Sequence, residues 1–228
     1  MGAGATVEHE ITLVGSAIGS GFEHTSDLHV MKYEEAMRTK EKDMWKKAVE
    51  EEYESFVKHK IFKPVKRQDV PPQAKIMTTT WAMKRKANGR FRARCNMRGY
   101  EQKEGEHYDS SAISSPVTND VSIRVLFVLM IMASWEAYLI DVKGAFLYGT
   151  FDNNERIYAE VPQGFESKWN PAVWVWLMLK TCYGLKQASY QFWKEILKMM
   201  GKMNFRRSNA DPCLYFKTFH FKDSKSGF

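Results

Sequence analysis

Cysteine is scarce in this chain: Cys95, Cys182 and Cys213 are the three in 228 residues, and they lie far apart. No Cys-x-x-C pair occurs among them. A disulfide framework and a zinc site are therefore not indicated, and a reducing compartment is expected. Long apolar runs are also lacking. The longest, Val125 to Ala133, is nine residues, where a bilayer span needs roughly 17. No basic region followed by a long apolar one stands at the start, so a secretory leader is not read. An intracellular, cytoplasmic location without a membrane partner is the expectation. Acidic side chains are missing from residues 81–100, which hold seven Lys and Arg. Residues 1–80 carry 12 basic against 13 acidic side chains, and residues 101–228 carry 15 against 14. The net charge of +7 is thus concentrated in one 20-residue segment. A local block of this kind implies an anionic partner, whereas dispersed charge would imply only solubility.

What is present is the composition of a folded protein. Hydrophobic residues make up 44% and aromatic residues 14%, enough for one large domain or two lobes. Residues 1–28 show no clear period and are read as a flexible tail. From Tyr33 to Lys58 the period is helical, with Trp45, Val49, Tyr53 and Phe56 recurring among Lys and Glu. Residues 29–118 form a first region built on this helix and a hairpin. Asn88-Gly89 joins the strand-like runs Thr78 to Lys86 and Arg90 to Arg98, a turn pair that tolerates positive φ.

Residues 119–228 form a second region. Asn119 is placed to cap a helix reaching about Ser134, apolar enough to pack under a sheet. Ala137 to Val142 reads as a buried strand, and Ile157 to Glu160 and Val173 to Leu179 as further strands. Gln187 to Met203 reads as an amphipathic helix, and Leu214 to Lys217 begins another strand. The order of elements predicts an α+β fold.

Asp141 ends an apolar run. A carboxylate there is costly to desolvate unless a cation or donors neutralise it. A metal ion, an Arg partner and a turn-capping role each meet that need. The neighbouring motifs bear on the choice. Tyr138 to Gly149, Ile157 to Phe165 and Leu179 to Ala188 occur in order, the last reading Leu-Lys-Thr-Cys-Tyr-Gly-Leu-Lys-Gln-Ala. Together with the basic hairpin Trp81 to Tyr100 and the helix before it, they resemble the reverse transcriptase of Copia-type retrotransposon Pol polyproteins, over roughly residues 30–217.

The resemblance implies a partial right-hand polymerase fold, fingers and part of the palm, with a mixed or antiparallel sheet packed by helices. It implies an RNA template, a DNA primer and deoxynucleoside triphosphates as partners, with Mg²⁺ or Mn²⁺ as cofactor. Family members join a primer hydroxyl to a nucleotide α-phosphate with two such ions. By similarity Asp141 is the first catalytic carboxylate and metal ligand, and the Val142 carbonyl holds the second ion. Phe146 falls at the steric gate that excludes a ribose 2′-hydroxyl. Arg92, assisted by Lys84 or Lys86, falls to the triphosphate. Tyr183 and Gly184 would underlie the nascent base pair. Arg94, Arg98, Lys186 and Gln187 would contact nucleic acid, with Arg92, Arg94 and Arg98 on one strand face.

The sequence departs from the family at several points, among them Gly144, where a Thr or Asn is common. After the third motif the family reads Gln-Ala-Pro-Arg-Gln-Trp, whereas this chain reads Gln187-Ala188-Ser189-Tyr190-Gln191-Phe192-Trp193. The family's Tyr-x-Asp-Asp hairpin has no counterpart before Phe228. Negligible polymerase activity is therefore expected of this chain by itself, the remaining ligands belonging to missing segments of the parent polyprotein. A non-catalytic nucleic-acid-binding module, or a relic, is the alternative.

Overall fold

The computed structural model describes residues 8–14, 30–86, 88–152 and 155–220, with the side chains of 8–14, 219 and 220 left aside. In chain order its elements are β1 (Glu8–Val14), α1 (Tyr33–Arg38), α2 (Lys42–His59), β2 (Phe62–Lys66), β3 (Ile76–Met77), β4 (Thr79–Arg85) and β5 (Phe91–Met97). Then follow α3 (Asp120–Met132), β6 (Tyr158–Glu160), β7 (Trp174–Met178), α4 (Ala188–Lys202), β8 (Arg206–Arg207) and β9 (Leu214–His220). The chain divides into two compact units. The larger comprises residues 20–115 and 142–195, and the smaller residues 1–19, 116–141 and 196–228.

In the larger unit, the expected helix from Tyr33 to Lys58 is two helices. Thr39 ends α1 because its hydroxyl and its N–H both donate to the Ala36 carbonyl, at 2.8 and 3.2 Å, while its backbone turns extended. Helix α2 buries Trp45, Ala48, Val49 and Phe56 along one stripe, as a 3.6-residue period requires. It ends at Lys60, whose left-handed φ of 53° lets Lys60 and Ile61 N–H groups satisfy the last carbonyls.

Helix α2 packs on β5, with the Trp45 ring edge-on to Phe91 at 4.6 Å. A four-stranded sheet in the order β2-β7-β6-β3 lies in the same unit, antiparallel except for the β3/β6 pair. On it Phe62 stacks on Trp176 at 3.7 Å, and Phe165 and Tyr53 close the aromatic centre of the core.

Strands β4 and β5 form the expected antiparallel hairpin. Its turn is tighter in its demands than the two-residue reading. Lys86 N–H donates to the Arg90 carbonyl at 2.9 Å, closing the turn outside the Asn88-Gly89 pair, and Gly89 takes the positive φ of 79°. Asn88 contributes its side chain instead, accepting the Arg90 N–H at 3.1 Å.

The smaller unit contains an antiparallel sheet in the order β1-β9-β8. Strand β1 lies within the segment 1–28 expected as a tail; the rest of 1–28 lies outside the described residues. Asn119 caps α3 as expected, its side chain accepting the Val121 N–H. Asp211 ties the start of α3 to the β9 end of the unit. It accepts N–H bonds from Asn119 and Cys213 at 2.9 and 2.8 Å.

Two expectations are corrected here. Helix α3 buries none of its residues, so it is not covered by a sheet. The run 137–142, expected as a buried strand, carries no strand, and Leu139 is 98% exposed. Apolarity alone suggested burial, but a strand needs a ladder partner, and among the described residues the ladder of this unit pairs β1, β9 and β8. The fold class itself, α+β with mixed and antiparallel sheets, is as expected.

Candidate nucleotide and nucleic-acid interface

The larger unit places most of the sequence-predicted residues on or beside the β4/β5 hairpin. Alternation sends Trp81 and Met83 of β4, and Ala93, Cys95 and Met97 of β5, into the core. The opposite face carries Lys84, Arg92, Arg94 and Asn96, with Lys84 directly across from Arg92 and Ala82 across from Arg94. Like charges directly opposed on a sheet are destabilising unless an anion offsets them. Burial and the neighbouring Arg94 hold the Arg92 guanidinium below its usual pKa. The Nε of Arg94 is buried and lacks a hydrogen-bond partner, an arrangement that costs free energy as it stands.

The outer edge of β5, away from β4, is occupied by two different acceptors. Cys95 N–H donates to the Glu52 carboxylate at 3.2 Å, and Met97 N–H donates to the Tyr183 carbonyl at 2.8 Å. The second contact fixes the Cys182–Leu185 loop against the hairpin. Gly184 makes it possible: its φ is +89°, and a Cβ there would lie 2.1 Å from the Met97 carbonyl oxygen. The close backbone approach at Gly184 is made by the protein's own strand.

The Tyr183 ring lies between two candidates. The Arg94 guanidinium sits over it at 4.9 Å, and the Phe146 ring meets it edge-on at 6.1 Å. Phe146 stands on the single turn Ala145–Leu147, which Leu147 anchors by burial. Thr181 donates to the Phe146 carbonyl at 2.8 Å, while the ring remains 36% exposed. Arg92, Arg94, Tyr183 and Phe146 thus belong to one assembly, with two cations, an aromatic floor and an accessible ring.

Other predicted residues lie elsewhere. Lys86 closes the hairpin turn and is exposed. Arg98 lies one residue past β5, so strand alternation does not carry it onto the Arg92 face. It sits near Glu101 instead, where burial would raise the carboxyl pKa but Thr78 hydrogen bonds, Lys75 and Arg98 together lower it. Lys186 is exposed and donates to the Tyr108 hydroxyl at 2.8 Å. Gln187, expected at the nucleic acid, is 1% exposed. Its amide donates to the His107 carbonyl and accepts from Gln102, at 2.9 and 2.8 Å, so both ends are engaged within the chain. Gln102 in turn accepts the Lys186 N–H at 2.8 Å. Gln187 therefore positions the loop instead of presenting a group to a ligand.

Asp141 belongs to the smaller unit and Val142 to the larger. Asp141 is exposed and outside any strand. Among the described residues no three His, Cys, Asp or Glu side chains converge on a metal position. The described donor set does not fit a two-ion site, which needs several carboxylates around both ions.

Glu52 was missed by the sequence reading. It stands among Glu50, Glu51 and Glu54, which read as a solvated face. Its spacing carried the signal, since Trp45, Val49, Glu52 and Phe56 share one helical stripe. Burial pushes its carboxyl pKa up to about 7, against the lowering effects of the Cys95 N–H and of Arg94 and Arg92. Burial, and then Glu52, likewise raise the Tyr183 hydroxyl pKa.

Sequence comparison supplies the class. Residues 60–223 match the family model described as reverse transcriptase (RNA-dependent DNA polymerase). The chain belongs to this family. It is 36% identical over 190 residues to the Retrovirus-related Pol polyprotein from transposon TNT 1-94 of Nicotiana tabacum, covering 81% of this chain and 14% of the relative. It is 31% identical over 150 residues to the polyprotein from transposon RE1 of Arabidopsis thaliana, covering 64% of this chain and 10% of the relative. The corresponding protein from transposon RE2 of the same plant is 29% identical over 185 residues, covering 79% and 12%. The chain therefore spans about a seventh or less of the length of these relatives. No solved structure matches it. Among the described residues no helix is long and apolar enough to cross a membrane.

Proposed function

We propose that this chain is the fingers and part of the palm of a reverse transcriptase from a Copia-type retrotransposon Pol polyprotein. In this reading the Arg92, Arg94, Tyr183 and Phe146 assembly receives the incoming deoxynucleoside triphosphate opposite an RNA template. The observation that supports it is the Arg94 guanidinium over the Tyr183 ring, with Arg92 on the same strand face and Phe146 beside that ring. Guanidinium groups suit phosphate oxygens because their fork matches that geometry. Arg92 takes the triphosphate, with Lys84 across the ladder and Lys86 at the turn assisting. The Phe146 ring is the gate against a 2′-hydroxyl. Arg94 and Lys186 extend the cationic surface toward nucleic acid, and Arg98 adds to it from beyond the strand.

Asp141 and the Val142 carbonyl are the ligands the family pattern assigns to divalent metal, and Mg²⁺ or Mn²⁺ would supply the electrostatic stabilisation of phosphoryl transfer. The 228 residues hold no adjacent Asp-Asp pair. The polypeptide alone is therefore proposed to bind nucleotide and nucleic acid without extending a primer. Activity belongs to the longer polyprotein, acting inside the cell in virus-like particles.

Titration of the full chain with deoxynucleoside triphosphate tests the assignment. Arg92→Ala is expected to weaken binding about tenfold or more, the loss of a charge-assisted bidentate contact. Unchanged affinity removes Arg92 from the site. Primer extension with either metal tests the second half: robust incorporation by this chain would overturn the proposed inactivity.

A further inference from the structure

We propose that Glu52 sets the anion affinity of the Arg92/Arg94 face, its carboxylate offsetting both guanidiniums from the edge of β5 so that a proton taken up from solvent strengthens triphosphate binding. The inference rests on reading that face as the triphosphate site. Glu52 is a positioning residue: it touches the β5 backbone, not the ligand.

Three observations carry it. First, Glu52 projects from the buried stripe of α2 and accepts the Cys95 N–H at 3.2 Å, which places a formal charge against the edge of the strand bearing both arginines. Second, Cys95 is the chain neighbour of Arg94, so the carboxylate at the strand edge stands next to the arginine-bearing face. The positive charges of Arg94 and Arg92 favour the ionised carboxylate there, against its burial. Third, the remaining neighbours do not compete for this proton. Cys95 and Cys182 are buried thiols whose pKa values burial raises, and Tyr183 is a phenol raised likewise. On the helix itself Glu51 is engaged by Arg90 at 3.4 Å. Glu52 is accordingly the group in this cluster that changes charge near neutral pH, at about 7.

The sign follows. An ionised Glu52 cancels part of the positive potential that draws in a triphosphate; a protonated one leaves it whole. Reciprocity requires that a bound polyanion repel the carboxylate and raise its affinity for the proton. Binding above neutral pH is therefore coupled to proton uptake at Glu52.

Inorganic tripolyphosphate binding to the full chain, measured from pH 6 to 8.5, tests this against Glu52→Gln and Arg92→Ala. The glutamine keeps an acceptor for the Cys95 N–H and removes the charge. It is expected to bind about three- to tenfold more tightly than wild type at pH 8, the difference closing toward pH 6. The probe's own ionisation is common to both proteins and cancels in the ratio. Parallel curves for wild type and Glu52→Gln, with Arg92→Ala still weakened, overturn the role of Glu52 and leave the triphosphate site standing. Curves that are indifferent to both substitutions overturn the site as well. Where Glu52→Gln fails to fold, carboxyl carbon NMR of the wild type decides: the Glu52 midpoint must move upward on adding tripolyphosphate, and a fixed midpoint refutes the coupling.

Discussion

Gly184 carries a larger share of the site than its size suggests. With φ at +89° and the Met97 carbonyl oxygen 2.1 Å from any Cβ, an alanine there must both strain its own backbone and push the loop off β5. The Tyr183-to-Met97 hydrogen bond would lengthen with it, and Tyr183 would leave the Arg94 guanidinium. Gly184→Ala is expected to cost about 2–4 kcal/mol. Urea unfolding would read this as a lower midpoint with little change in slope, and an unchanged midpoint would mean the loop does not pack as described. Glu52 gives a second prediction at this scale. Its folded-state pKa is raised from 4.5 to about 7, so the folded protein holds a proton that the unfolded chain has already released. The stability this contributes is full below pH 4.5 and is lost as pH rises through 7. Wild type should thus lose on the order of 2 kcal/mol over that window relative to Glu52→Gln. Melting curves at pH 5 and pH 8 that keep the same offset between the two proteins would contradict it.

Elements differ in how well the sequence announced them. The β4/β5 hairpin was legible because alternation and Asn88-Gly89 are local signals, and local signals fix both strands and turn. The aromatic stripe of α2 was legible for the same reason, although the break at Thr39 depends on a hydroxyl-to-carbonyl bond that periodicity does not encode. The surroundings of Gln187 and of the run 137–142 were not legible because they come from distant sequence. Gln187 meets His107 and Gln102 across 80 and 85 residues of chain, and the apolar run finds no ladder among the described residues. Glu52 sat in plain view on the helical stripe but was masked by its acidic neighbours.

Helix α3 shows the opposite mismatch, an apolar sequence with Val128 and Ile131 at 55% and 73% exposure. An exposed apolar face of this kind favours association. Replacing Val128 and Ile131 by Lys is expected to reduce aggregation in light scattering while changing stability by no more than about 0.5 kcal/mol per site. A larger loss of stability would show that these side chains are packed.

At the scale of the whole molecule the basic excess is organised, not spread, as the proposed nucleic-acid surface requires. Residues 81–100 carry the whole surplus, and the hairpin turns Lys84, Arg92 and Arg94 onto one face while Arg98 is drawn toward Glu101. Binding to a nucleic-acid duplex should therefore weaken with salt in proportion to the phosphates these side chains neutralise. Each contact removed lowers the slope of log affinity against log salt by roughly 0.9. Arg92→Ala and Arg94→Ala are each expected to flatten the slope by about that amount, and Arg98→Ala by less. Lys46 and Lys47 supply the control, because they are cationic and exposed but belong to α2 and not to the hairpin. Replacing both with Ala should leave the slope unchanged. If the α2 lysines flattened the slope as much as the arginines do, binding would follow net charge alone, and the hairpin would lose its place as the interface.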